Sequence, residues 1–321
     1  MIPVMDLPPD FLQNLVGAFG RDQTDAWIAR PPRLLAEAAS RWDLELGAPL
    51  PGLSYNHVCS ATRFPSPVLG RGARGEGQDC ILKIGIPNRE LTSEMECLRL
   101  LGNLPNCPTV RLLDCDPENG LLLLERLLPG ETLASLTDDD HATEIAADVM
   151  SRLWIPAPAD HNFISLKGWF DELKHLRPRF GSGTGPFPAR LVETAEGLIR
   201  ELFAEEETWL IHGDCHHYNI LSHGDEWRVI DPKGVIGARE YEVGPFMLNP
   251  VYQPRPNIKR ETQRRLDIFS ERLGFDRQHL WAWTVAHSLL SAWWDLQEDS
   301  TGGEFALACG EAFLELQTPK G

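Results

Sequence analysis

The 321-residue sequence predicts an α+β chain in two lobes, strand-rich at the front and helical behind. Three observations lead there. Short apolar runs of strand character crowd the first part of the chain, segments with apolar residues at helical spacing dominate the second, and Pro129-Gly130 separates the two patterns. The expected lobes are residues 1–128 and residues 129–321, with the cleft between them as the natural ligand site.

The leading segments read as helices, Asp10 to Phe19 and Asp25 to Arg41, the second broken at Pro31-Pro32. Strands are expected at Leu44–Leu50, Asn56–Arg63 and Cys80–Ile84. Glu90–Leu101 has helical spacing at Leu91, Met95, Leu98 and Leu101, and two more strands fit Val110–Cys115 and Leu121–Leu127. Pro129-Gly130 reads as a linker. Helices follow at Ala142–Leu153, Leu166–Leu176, Ala189–Ala204, Lys259–Leu273 and Gln278–Leu296, interrupted by a β-like island from Trp209 to Asp231.

Composition narrows the function classes. A net charge of −17 is poorly suited to nucleic acid or anionic membranes; it either favours a cationic partner or serves solubility. No apolar run reaches membrane-spanning length, and Met1 to Asp6 has no basic-then-apolar signal pattern. Seven scattered cysteines, an odd number, fit reduced thiols rather than a disulfide framework, so the expected compartment is the cytoplasm.

The strongest chemical signal is His212-Gly213-Asp214-Cys215-His216-His217-Tyr218-Asn219, set between apolar strands and followed by Ile230-Asp231-Pro232. Phosphoryl transfer to a hydroxyl explains this set. A carboxylate on a fixed loop, Asp214, orients the acceptor hydroxyl and receives its proton. Mg2+ prefers oxygen ligands, which the Asn219 amide and the Asp231 carboxylate supply. His212 is expected to orient the loop from behind, while His216 and His217 either face the phosphates or line the cleft. The cluster is too dense for four zinc ligands to converge from one loop.

Lys83 is the second signal, a lone cation in an apolar strand. In phosphoryl-transfer enzymes such a lysine grips the α- and β-phosphates of ATP and is held by a helix glutamate. Glu94 is expected among Glu90, Glu94 and Glu96, because it shares a helical face with Leu98 and Leu101. The alternative is an edge lysine that snorkels to water. Gly70-Arg71-Gly72-Ala73-Arg74-Gly75 matches a dinucleotide fingerprint by letter, but a strand follows it where a helix is required, so it reads as a hairpin turn. The better phosphate-covering candidate is Gly52-Leu53-Ser54-Tyr55-Asn56, through its backbone amides and the Ser54 hydroxyl.

At these residues the chain resembles the aminoglycoside phosphotransferase-like branch of the protein-kinase-like fold, and within it the streptomycin 6-phosphotransferase and hydroxyurea phosphotransferase family. The likeness is carried by Leu53–Val58, Leu82–Leu91, Leu123–Gly130, His212–Leu221 and Ile230–Gly234, in the family's order. It implies a bilobal fold, with a small antiparallel-sheet N-lobe and a mostly helical C-lobe. It further implies Lys83 on phosphate with Glu94 as its anchor, an adenine-binding hinge at Glu125, Arg126 and Leu127, Asp214 as base, and Asn219 and Asp231 on Mg2+. Lys233 either touches the cleft or faces solvent. One departure stands out: many members have Tyr-Asp where this chain has Tyr241-Glu242, which puts the loop-bracing role of that carboxylate in question.

The acceptor is expected against the helical lobe, with His216, Glu242, Trp294, Asp295 and Glu298 as candidate contacts and Asp299 and Trp293 beside them. Carboxylates there suit a guanidino or amino acceptor such as streptomycin; the alternative is a solvated helix end over buried tryptophans. Three functions follow: an antibiotic kinase, a kinase of another small hydroxyl compound (a sugar, an amino alcohol or hydroxyurea), and a catalytically silent nucleotide-binding protein.

Overall fold

A computed structural model describes residues 7–51, 54–64, 76–204, 208–251, 255–297 and 303–316. The chain divides into two compact units, Met1–Gly102 with Val110–Leu127, and Asn103–Thr109 with Leu128–Gly321.

The first unit opens with α1 (Pro9–Phe19), α2 (Arg21–Ile28) and α3 (Pro31–Arg41). The second helix begins at Arg21 rather than Asp25, and Pro31 starts α3, where a proline's missing N–H costs nothing. Five strands follow, β1 (Leu44–Pro49), β2 (His57–Arg63), β3 (Gln78–Ile84), then α4 (Arg89–Leu101), β4 (Leu112–Asp116) and β5 (Leu121–Glu125). They form an antiparallel sheet in the order β1-β2-β3-β5-β4. The core lies between the leading helices and one sheet face: Phe11, Leu15, Trp27, Leu34 and Leu35 cluster with Cys80, Leu82, Ile84, Leu121 and Leu123. Side chains alternate across a strand, so Lys83, flanked by Leu82 and Ile84, is delivered to the opposite face beside its cross-strand partner Leu122. Asn88 caps α4 by accepting the Leu91 N–H at 2.8 Å, which fixes where the glutamates of that helix fall.

The second unit contains β6 (Pro129–Thr132), α5 (Asp139–Ser151), β7 (Ile155–Pro156), β8 (Ile164–Ser165), α6 (Leu166–Asp171), α7 (Leu176–Arg179), α8 (Ala189–Leu202), β9 (Trp209–Ile211), β10 (Ile220–His223), β11 (Glu226–Val229) and β12 (Val235–Gly237). After these come α9 (Val243–Leu248), α10 (Ile258–Leu273), α11 (Arg277–Gln297) and α12 (Glu304–Leu314). Pro129-Gly130 is not a bare linker: it opens β6, an edge strand paired with β10, where a proline without an N–H is tolerated. The expected helix Leu166–Leu176 is cut by a 3-10 turn at Glu172–His175. The β-like island is split between two sheets: β9 joins β7-β9-β12-β8, while β10 and β11 pair as a hairpin in β11-β10-β6. The loop from His212 to Asn219 therefore runs from one sheet to another, with both ends fixed.

Aromatic packing forms the core of this unit. Phe170, Tyr241 and Trp283 are buried and meet edge to face at centroid distances of 5.6–5.9 Å. Arg265 of α10 is fully buried. Its guanidinium reaches both Asp139 carboxylate oxygens on α5 and the Glu261 carboxylate, and donates to the Phe246 and Asn249 carbonyls. One charged group thus ties three helices together. Among the described residues, no helix is long and apolar enough to cross a membrane.

Replacing Arg265 by Met strands two carbonyls and the Asp139 carboxylate, so we expect a loss of about 3–5 kcal/mol in urea unfolding. A loss below about 1 kcal/mol would show that the network carries no net stability.

Candidate active site

The second unit builds its site around His212–Asn219. A buried carboxylate lies beneath it. Glu242, with no exposed surface, accepts the Gly213 N–H at 2.6 Å and the His212 N–H at 3.3 Å, one on each oxygen. Burial pushes its pKa up to about 8, while the two backbone donors favour the charged form and hold it lower than burial alone would. Both Glu242 oxygens meet the loop backbone. The extra methylene relative to aspartate does not prevent the bracing contact.

His212 is also fully buried. Its Nδ1 lies 3.2 Å from the Asp214 N–H and its Nε2 lies 2.9 Å from the Ile230 carbonyl. Since Nδ1 accepts, Nε2 carries the proton and donates. Burial drives the pKa down to about 4, so the ring is a neutral strut between the loop and the β11 end. Gly213 has φ +86°, and a Cβ there would sit 2.6 Å from Val235 Cγ2, so only glycine fits.

His217 is buried. It is turned inward, stacked on Phe246 at 3.9 Å, with Nε2 3.4 Å from the Arg265 guanidinium. His216 stays near Asp214, its Nδ1 accepting the Tyr218 N–H and its Nε2 3.5 Å from Asp214 Oδ1. The loop is therefore tethered at its start by Glu242, in its middle by His217 and at its end by the hairpin.

Asp214 is partly exposed, its side chain 33% accessible. Asn219 donates its amide nitrogen to the Asp214 carbonyl at 3.0 Å, which directs its Oδ1 oxygen to the other side. The Ile230 N–H donates to the Asn219 carbonyl at 2.9 Å, so Asn219 lies opposite Ile230 at the end of the hairpin and next to Asp231. Asp231 has φ +56°, a left-handed conformation uncommon outside glycine and concentrated at functional sites. An oriented amide oxygen and a carboxylate at one hairpin end fit a hard divalent cation that keeps its other positions for water and phosphate.

In the first unit, Lys83 Nζ lies 2.8 Å from both oxygens of Glu94, with both residues almost fully buried. Lys83 is not an edge lysine. Glu125 is committed to Arg111: its N–H donates to the Arg111 carbonyl, and its carboxylate accepts the Arg111 N–H and Nε. Arg126 and Leu127 follow β5 without belonging to it. Ser54 lies in a bend whose carbonyl accepts from Asn14 at 3.3 Å. Gly52, Leu53, Gly70–Gly75, Glu298 and Asp299 lie outside the described residues. Asp295 accepts the Gly303 N–H at 3.0 Å, at the start of α12. Trp294 is partly exposed and packs edge to face against Trp169 at 5.2 Å.

Sequence reading did not find Trp169, His287 or Arg265. His287 is buried against Tyr241, its Nδ1 3.0 Å from the tyrosine hydroxyl. Nothing local in the sequence marks these three, because each has a defining partner 40 or more residues away: Gly213 for Trp169, Tyr241 for His287 and Asp139 for Arg265.

The fold and the tethered Asp-Asn-Asp loop define a small-molecule phosphotransferase of the protein-kinase-like type. The aminoglycoside phosphotransferase APH(4)-Ia superposes with TM-score 0.60 at 16% identity, covering 89% of this chain and 99% of that one. Choline kinase LicA from Streptococcus pneumoniae gives 0.59 at 12%, covering 89% and 98%. Residues 55–299 match the model of the aminoglycoside/hydroxyurea antibiotic resistance kinase family, and the chain belongs to that family. Streptomycin 6-kinase of Streptomyces glaucescens is 30% identical over 92% of this chain and 93% of its own length. Hydroxyurea phosphotransferase of Kitasatospora aureofaciens is 28% identical over 95% and 83%. The chain is accordingly an ATP-dependent kinase of small-molecule hydroxyls.

Two predictions follow from the site. Glu242→Ala leaves two buried amides without an acceptor, at a cost of about 2–5 kcal/mol, and lowers turnover at least about tenfold. Glu242→Asp, which keeps an acceptor, should retain more of both. Calorimetry and steady-state kinetics on the pair check this, and equal behaviour of the two variants would remove the brace.

His287 is driven down to about 3 by burial, so its neutral form contributes stability that is complete above about pH 6.5 and is lost as pH falls below that. The stability advantage of wild type over His287→Asn should therefore shrink by about 2 kcal/mol between pH 7.5 and pH 5. A constant difference would contradict a buried neutral imidazole.

Proposed function

We propose that the chain transfers the γ-phosphoryl group of ATP to a hydroxyl of a streptomycin-like aminoglycoside, with Asp214 as the base. The observation that carries this reading is the Asp214 carboxylate, partly exposed on a loop whose neighbouring amides are locked by buried Glu242. A positioned carboxylate can accept the hydroxyl proton as the oxygen attacks, and a rigid loop keeps that geometry without reorganisation. His212 acts behind it as a positioning residue, holding the Asp214 amide.

Asn219 and Asp231 would hold Mg2+, which when bound neutralises charge on the phosphates. Lys83, oriented by Glu94, would contact the α- and β-phosphates. Ser54 and the backbone of Arg126 and Leu127 complete the proposed nucleotide contacts. The aminoglycoside preference is supported by the relative at 30% identity over nearly the whole chain. A second reading, hydroxyurea or another small hydroxyl compound as acceptor, is favoured by the hydroxyurea phosphotransferase relative of similar coverage.

The test is Mg-ATP consumption by the purified protein against streptomycin, hydroxyurea and a panel of sugars and amino alcohols, with product mass. A streptomycin-dependent rate and a gain of one phosphate support the first reading; turnover with another acceptor alone moves the substrate. Asp214→Asn should lower turnover by about 100-fold or more with nucleotide affinity nearly intact. Unchanged turnover would take the base role from Asp214. Asp231→Asn should instead weaken Mg-dependent nucleotide binding in calorimetric titration, and unchanged affinity would remove it as a ligand.

A further inference from the structure

Beside Gly213, at the start of the Asp214 loop, lies an indole that the proposed mechanism does not use. Trp169 lies on α6, whose first turn is capped by Ser165 accepting the Gly168 N–H. Its neighbour Phe170 is buried among Phe203, Tyr241 and Trp283, while Trp169 itself is only partly covered. The six-membered edge of Trp169 is so close to the loop that a Cβ on Gly213 would stand 3.2 Å from its Cη2. Trp294 of α11, also partly covered, meets Trp169 edge to face at 5.2 Å and 84°. Tyr241 supports Trp169 from inside at 6.2 Å, and His287 supports Trp294 at 6.5 Å.

Two indoles are thus backed by a buried Tyr–His pair, and Trp169, the nearer of them, lies against the residue that precedes Asp214. An indole needed only for packing could be fully enclosed, as Trp281, Trp283 and Trp293 of the same unit are. An indole face left accessible beside a carboxylate attracts a planar cation, which gains both electrostatic and stacking energy there. Among the charged residues near this pair, Asp214 follows Gly213 and Asp295 follows Trp294 in the chain, and Lys233 Cβ would stand 3.3 Å from a Cβ on Gly213. The chain as a whole carries −17, a field that draws cations.

We propose that Trp169 and Trp294 form the acceptor wall of the site and select acceptors bearing a guanidinium or similarly flat cationic group, seating it on indole while the hydroxyl is presented to Asp214. This rests on the aminoglycoside-kinase reading above. It assigns Trp169 a role in specificity, which neither its sequence context nor the roles given to the loop residues supply.

The experiment is steady-state kinetics on Trp169→Leu and Trp169→Phe with streptomycin, a guanidino-bearing acceptor, varied at saturating Mg-ATP and the reverse. Trp169→Leu keeps an apolar side chain but removes the π face; Trp169→Phe keeps a weaker one. The expected result is a rise of about tenfold in the streptomycin KM for Leu and a smaller rise for Phe, with the Mg-ATP KM within about twofold of wild type. Trp294→Leu should shift the same constant in the same direction. A streptomycin KM unchanged in Trp169→Leu overturns the inference, as does an equal rise in both substrates' KM, the mark of a merely structural role. A wild type that does not phosphorylate streptomycin would instead refute the reading beneath it, so the two failures are distinct.

Discussion

The second unit depends on one contact, the Glu242 carboxylate held beneath His212 and Gly213. A loop that carries a catalytic carboxylate must be rigid, yet loops have few backbone partners of their own. Here the two amides that a helix or strand would have satisfied are satisfied by one buried side chain. The carboxylate bears a large desolvation cost, visible in a pKa pushed up to about 8, and that cost is offset only while both donors stay in place. The device is therefore all-or-nothing, which is why it can fix the direction in which Asp214 leaves the loop.

The first unit uses the same physics with opposite polarity. Lys83 is buried in a sheet and is acceptable there only because both oxygens of Glu94 reach its ammonium. In the second unit Arg265 repeats the theme, a fully enclosed guanidinium held by the carboxylates of Asp139 and Glu261 and the carbonyls of Phe246 and Asn249. Each unit thus holds a buried charge with partners from other elements, α4 for Lys83 and α5 and α9 for Arg265. Such pairs add little net stability compared with apolar packing, but removing one partner is costly, so they hold geometry.

The sequence made the α+β class and the His212–Asn219 loop legible because both are local patterns. Apolar periodicity marks strands and helices, and the loop motif spans eight residues, with Asp231 a further twelve along at the end of a short apolar strand. Lys83 and Glu94 were legible for the same reason, one strand and one helix apart. What was hidden was long-range. Pro129-Gly130 looks like a break until β10 pairs with it. His217 looks like a third member of a polar cluster until Phe246 and Arg265 receive it. The Glu242 side chain looks one methylene too long until its oxygens are found on two amides. Trp169 carries no signal at all, since its meaning comes from Gly213, more than forty residues away.

Amide hydrogen exchange at His212 and Gly213 in the native protein tests the account most directly, because it reads the Glu242 contact without assuming a substrate. Both amides should exchange as slowly as those of the adjoining strand β9, and both should lose that protection in Glu242→Ala while β9 keeps its own. Exchange at the rate of an exposed loop in the wild-type protein would contradict the clamp, and with it the claim that a buried carboxylate sets the geometry of Asp214.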